Sequence, residues 1–235
     1  MTLFSRRLFA ILALCLLICL RYAVAQPAPT VPTPFEGLVP AAFDDGLRLV
    51  ELKVRDGDAP PWRTIEWRPA DAGAAPRREQ VSVREGLRAM YAYPDSQYFA
   101  NVKVETSMPG HYDKDRAVVI ESIEQGYRAV RARLDAYLAA HPEAAAKVAA
   151  HGAPGREPMA FERLEVNGIE VVSYTDNVLG LSGGTISQIQ FFVPGRQTIV
   201  TAYLLNQKQS KFKDIEDFLR LRAAFIQGYT AYLAR

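Results

Sequence analysis

The order of elements predicts an α+β fold: an antiparallel β-sheet with a long amphipathic helix and a C-terminal helix packed on it. Three observations carry that expectation. Extended segments, a long helix, two hairpins and a last helix follow one another without the strand–helix alternation of a parallel sheet. Asn167-Gly168 separates two apolar-rich runs, and Asn-Gly is the pair a two-residue hairpin turn demands. Two helical segments carry apolar residues at three- and four-residue spacing, so each has a face to bury.

In chain order, residues 47–54 read as a first strand, with Val50, Leu52 and Val54 on one face. Asp56-Gly57 and Pro60-Pro61 break it. Residues 62–68, rich in aromatic and β-branched side chains, form a second strand. Residues 70–76 read as a loop. Strands follow at 80–83, 87–93 and 98–106; in the last, Val102 and Val104 alternate with Lys103 and Glu105.

Asp113 or Asp115 is positioned to cap a helix running to about Ala140. Its stripe is Ile120, Ile123, Tyr127, Val130, Leu134 and Tyr137, with Glu124–Arg128 and Arg131–Asp135 four apart and able to pair. Pro142 ends or kinks it, and an alanine-rich helix follows over 143–150. Strands at 161–166 and 169–175 flank Asn167-Gly168. A second hairpin, 185–193 with 197–205, turns at Pro194-Gly195-Arg196. From Asp214 a final helix presents Ile215, Phe218, Leu219, Phe225, Ile226, Tyr229, Tyr232 and Leu233 on one face.

The ends set the address. Arg6 and Arg7 precede an apolar run over residues 8–20, and Ala23-Val24-Ala25 offers small residues to a signal peptidase. The expected cut falls between Ala25 and Gln26. The run is shorter than the roughly 20 residues a membrane span needs, which favours cleavage over a retained anchor. Ser5-Arg6-Arg7-Leu8-Phe9 also fits a twin-arginine signal, so both export routes stay open. Both cysteines, Cys15 and Cys19, lie in this leader, and Leu14 and Ile18 before them do not suit a lipoprotein site. The mature chain is therefore expected without disulfides, thiol chemistry or thiolate metal sites, in the periplasm or secreted.

Three units follow: a signal peptide over 1–25, a proline-rich flexible linker over 26–34, and one α+β domain over 35–235. Of the chain's 28 basic side chains, three (Arg6, Arg7 and Arg21) belong to the leader, leaving 25 against 26 acidic ones. No basic excess exists to draw a nucleic acid or an anionic membrane.

Few residues point to chemistry. Gly180-Leu181-Ser182-Gly183-Gly184 matches the G-x-S-x-G elbow, which exposes a serine at a strand-to-helix corner. Here a strand follows, and His111, His141 and His151 all precede Ser182, against the hydrolase order. A glycine-rich turn explains the match. The histidines lack metal spacing and read as surface or helix-end residues, so no metal and no cofactor are expected. Asp44-Asp45, Asp113 with Asp115, and Asp214 with Asp217 stand where acids cap helices. Tyr91, Tyr93, Tyr98 and Phe99 cluster about residues 94–97, with Trp62 and Trp67 upstream. Tyr93, Asp95, Tyr98 and Arg196 are the binding candidates, and the lysine-rich stretch 208–213 reads as a solvated loop.

The second half resembles the Mog1/PsbP-like α+β fold, which includes periplasmic proteins of the DcrB kind. The likeness rests on the Asn167-Gly168 hairpin, the strands at 186–192 and 199–205, and the closing helix with Phe218, Phe225 and Tyr229. The segment from Tyr93-Pro94 to Val104 adds to it. The resemblance implies a non-enzymatic binding, chaperone or assembly role and assigns no functional residue. The expected function is an exported, non-catalytic binding or accessory protein whose partner is another protein, immunity- or chaperone-like. The alternatives are a serine hydrolase using Ser182 and a carrier of an apolar small ligand.

Overall fold

The computed structural model describes residues 29–55, 61–69, 74–94, 96, 98–151, 159–176, 184–206 and 214–235. The strands are β1 (Arg48–Val54), β2 (Arg63–Trp67), β3 (Arg77–Val81), β4 (Val83–Ala92), β5 (Tyr98–Ser107), β6 (Met159–Val166), β7 (Ile169–Asp176), β8 (Gly184–Val193) and β9 (Thr198–Asn206). The helices are α1 (Tyr112–Ala140), α2 (Pro142–His151) and α3 (Ile215–Leu233). Seven strands form one antiparallel sheet in the order β1-β4-β5-β9-β8-β7-β6, and β2 and β3 pair separately. The expected α+β architecture is therefore present. No described helix is long and apolar enough to cross a membrane.

Alternation assigns the faces. Leu87, Ala89 and Tyr91 of β4, Val102 and Val104 of β5, and Val200, Ala202 and Leu204 of β9 join one core with Phe218, Leu221, Phe225 and Tyr229 of α3. On the opposite face Tyr112, Val119 and Ile120 of α1 pack on Val172, Phe192 and Ile199. Trp67 and Val81 of the β2–β3 pair cover a neighbouring strip, packing with Val83 of β4 and Val118 of α1. β7 and β8 are thus covered on both sides. Adjacent buried pairs such as Val171-Val172 and Phe191-Phe192 follow from that double covering.

Local chemistry fixes the turns and ends. Asn167 (φ 53°) and Gly168 (φ 74°) both adopt the left-handed conformation of the β6–β7 turn. The Asn167 side chain donates to Thr230 Oγ1 at 3.0 Å, which ties that turn to α3. Asp214 caps α3 by accepting from the Asp217 N–H at 2.8 Å. Helix α1 ends at Ala140, and Pro142 opens α2.

Several expectations are corrected. Val50 does not share a face with Leu52 and Val54, because the β1 register shifts between Leu49 and Glu51; Leu49 is buried and Val50 exposed. The expected gap between strands at 80–83 and 87–93 is instead a break at Ser82, whose N–H donates to Asp115 Oδ1 at 2.9 Å. Gly86 lies within β4 at a register shift. Asp115 is no cap: it is fully buried in the first turn of α1, and the capping position is His111, without a side-chain bond.

The stripe of α1 is buried only at its start. Ile123 and Tyr127 are half-buried, and Tyr137 is 53% exposed. A 29-residue helix is about 43 Å long, while the eight residues of β7 span about 27 Å. The helix outruns the strands that could cover it. Part of the expected linker is also structured: residues 33–35 form a 3₁₀ turn, and Val31 packs on the main core.

Candidate functional site

The site is built around the segment that precedes β1. Residues 31–40 run over the face of the sheet that holds α3, from Phe35 beside Gly86 to Pro40 at Tyr91, and tyrosine hydroxyls hold them. The Tyr229 hydroxyl donates to Leu38 O at 2.6 Å and that of Tyr91 to Pro40 O at 2.9 Å. Tyr232 accepts from the Gly37 N–H at 3.3 Å. Burial, foremost, pushes the Tyr91 and Tyr229 hydroxyls well above the usual tyrosine range, so both remain protonated donors.

Two glycines let this segment come close. A Cβ on Gly86 would stand 2.6 Å from the Phe35 ring. Gly37 takes φ +78°, and a Cβ there would meet the Arg196 guanidinium at 2.8 Å. Phe35 and Leu38 thereby form an apolar wall facing the start of β4, the end of β5 and the start of β9.

Opposite that wall, pairing aligns Arg84 of β4 with Thr106 of β5, and Thr106 with Thr198 of β9. Arg196 enters from the Pro194–Arg196 turn and Arg55 from the end of β1. Together they bound an open cleft of about 580 Å³.

Hydrogen-bond accounting shows what this cleft can do. Thr198 Oγ1 donates to Arg196 O at 2.9 Å, so in the 3.4 Å Thr106–Thr198 contact the hydrogen is that of Thr106. The donors left for a ligand are guanidinium N–H groups. Arg196 gives one to Glu36 O, and Arg55 gives its Nε–H to Glu85 at 3.1 Å. Arg84 makes no hydrogen bond or ion pair among the described residues. Glu85 is already held by Arg88 through two bonds of 2.6 and 2.9 Å, and that contact, ahead of Arg55, draws its carboxyl below the usual range. Glu36, exposed on the rim, forms no ion pair among the described residues. The cleft is a local positive site on a chain whose 28 basic and 26 acidic side chains nearly balance.

Two further polar arrangements differ in kind. Arg222 of α3, 7% exposed, donates to Glu162 and Ser173 through Nη2 and to Ser187 at 3.2 Å through Nε. In this network Arg222 is buried between α3 and the sheet, while the Glu162 side chain reaches solvent. A smaller hollow of about 270 Å³ beside Tyr112 is lined by Arg116 and Glu170, which pair with each other.

Of the residues the sequence proposed, Arg196 is in the cleft. Tyr93 is 2% exposed, and its hydroxyl donates to Asp45 at 2.6 Å, which places it within the core. Tyr98 opens β5, across the sheet's length from the cleft. Asp95, Ser182, the stretch 208–213 and the cleavage pair Ala25 and Gln26 lie outside the described residues. His111 and His141 stand at the two ends of α1. Tyr91, Phe99 and Trp67 are buried, whereas Trp62 is 49% exposed. The sequence reading missed Arg55 and Arg84, which reach the cleft from separate strands. Gly86, which the sequence reading left between two strands, lies within β4, where a glycine marks the close approach of another part of the chain.

No protein-family model, curated protein or solved structure matches the chain. A functional reading rests on this chain's own geometry.

Proposed function

We propose that this chain is an exported, non-catalytic binding or accessory protein that engages another polypeptide in the periplasm or outside the cell, using the arginine cleft as its contact surface. The leader pattern of Arg6, Arg7, the apolar run over 8–20 and Ala23-Val24-Ala25 supports export. The observation that carries the binding role is the state of Arg84 and Arg196: both are exposed in a concave site and neither is paired with a described carboxylate. Arginine is enriched at protein interfaces because its planar fork binds carboxylates and stacks on apolar surface.

Fractionation of the producing cell tests the first half. The chain should accumulate in the periplasm or medium with Gln26 as its first residue; a cytoplasmic product retaining Arg6 and Arg7 would refute export. Capture with the wild type and with an Arg84→Glu/Arg196→Glu variant tests the second. A polypeptide held by the wild type and lost from the charge-reversed protein is the expected result. Equal recovery on both, or none on either, rules the contact surface out.

A further inference from the structure

We infer that the cleft receives an acidic segment of the partner, with two carboxylates set beside an apolar side chain. This rests on the binding role proposed above and names what is bound. Arg84 and Arg196 belong to different walls, with β5 and β9 contributing Thr106 and Thr198 between them. Neighbouring strands are about 4.8 Å apart, so the backbone of Arg84 lies roughly 10 Å from that of Thr198. A carboxylate matches one planar guanidinium through two parallel N–H···O bonds. Two guanidiniums carried by separate elements are best satisfied by two carboxylates, one for each. In an extended segment acidic side chains two residues apart lie about 7 Å from each other, within reach of two long arginines. Arg55, already shared with Glu85, adds field more than a fresh contact. Phe35 and Leu38 then meet the apolar side chain carried between the acids.

The open shape favours a polypeptide over a small anion. Small-molecule pockets enclose about 70–90% of their ligand. Here Pro34, Arg55, Arg84, Thr106 and Arg196 are all exposed, and the apolar wall lies on one side. A lone phosphate would leave most of the 580 Å³ unfilled. Among the described residues no acid lines the cleft: Glu85, beside Arg84 in the chain, is held by Arg88 and Arg55, and Glu36 contributes only its carbonyl, to Arg196.

The test is fluorescence anisotropy on the protein as it accumulates in the producing cell. The probe is a labelled octapeptide in which three glutamates alternate with leucine and phenylalanine. Controls replace the glutamates by glutamine or the apolar residues by serine, and inorganic phosphate serves as competitor. The glutamate peptide should bind and weaken as salt rises. The glutamine peptide, Arg84→Ser and Arg196→Ser should each lose about tenfold, and the serine peptide a smaller factor. Arg196→Lys should recover part of the loss, since it restores charge without the fork. Arg84 is exposed and unpaired among the described residues, so the melting temperature of Arg84→Ser should stay at the wild-type value; Arg196→Ser also gives up its bond to Glu36 O, so Arg84→Ser is the variant that reads binding alone. Equal binding of glutamate and glutamine peptides, or full competition by phosphate at the peptide's own affinity, overturns the inference. If the acidic peptide fails while the charge-reversed variant still loses its captured partner, only the ligand assignment falls. If that capture is also indifferent to charge reversal, the binding role falls with it.

Discussion

Replacing Tyr229 by phenylalanine removes one oxygen from the place where α3 meets the cleft wall. The ring should stay, held by Phe191 at 4.8 Å, Phe225 at 5.4 Å and Phe43 at 5.9 Å between centroids. What goes is the 2.6 Å bond to Leu38 O, in a setting where Leu38 is 3% exposed and Tyr229 fully buried. A buried carbonyl left without its donor costs about 1–3 kcal/mol, more than the net value of a surface hydrogen bond. Taking about 2 kcal/mol, and 2–4 °C per kcal/mol for a domain near 200 residues, the melting temperature should fall by about 4–8 °C. Urea unfolding should show a lower midpoint with an unchanged slope, since the buried surface is nearly the same. The wall itself should loosen, so hydrogen exchange at residues 35–40 should quicken more than at β9. A melting temperature within about 1 °C of the wild type would refute the idea that this hydroxyl holds the segment in place.

Three more outcomes follow from the same geometry. Tyr91, Tyr93 and Tyr229 all have folded-state pKa values raised chiefly by burial, and that of Tyr112 is pushed up to about 12. Their contribution is complete below the unfolded value near about pH 10 and is lost as pH rises above it, by about 1.4 kcal/mol per pH unit for each tyrosine still protonated. Unfolding midpoints should be flat to about pH 9.5 and then fall steeply, with tyrosinate absorbance appearing together with unfolding; ionisation of all tyrosines in a still-folded protein would contradict this. Arg222→Met should destabilise by about 1–3 kcal/mol, below the usual cost of breaking a buried pair, because the Glu162 side chain is 40% exposed and can turn to water. A urea midpoint at or above the wild-type value would show that the network contributes nothing. Asn167→Ala should cost about 2 kcal/mol, from its φ of 53° and its lost bond to Thr230. Asn167→Gly should recover the backbone part, and equal stability of the two variants would remove φ as the cause.

What the sequence disclosed was local. Asn167-Gly168 marks its hairpin because the turn is decided by the two residues in it, and Asp214 marks the start of α3 because a cap reaches only three residues ahead. The long helix was equally legible as a helix. Its burial was not, since nothing within 112–140 says how far the sheet beneath extends, and the apolar spacing continues past the last strand to Tyr137. Val50 fits the strand pattern and still leaves the face, because a bulge depends on how β1 pairs with β4.

The cleft was legible only in Arg196. Its other parts come from residues near positions 35, 55, 84, 106 and 198, and their meeting is a product of strand order: β9 lies beside β5, more than ninety residues earlier in the chain. Arg222 and Glu162 were hidden for the same reason, being 60 residues apart. The aromatic cluster drew attention to Tyr93 as a contact residue, whereas its hydroxyl is engaged inside the domain by Asp45. A tyrosine reads alike in sequence whether its hydroxyl meets a partner or a carboxylate of its own chain.

The most direct measurement is on the guanidiniums themselves. Arginine side-chain Nε–H resonances of the labelled protein, followed while the acidic octapeptide is added, report each site separately. The arrangement predicts that Arg84 and Arg196 shift and saturate together, Arg55 moves less, and the enclosed Arg222 stays where it was. Unmoved resonances for Arg84 and Arg196, or a uniform drift of every arginine with ionic strength, would contradict the claim that this cleft is made to take carboxylates.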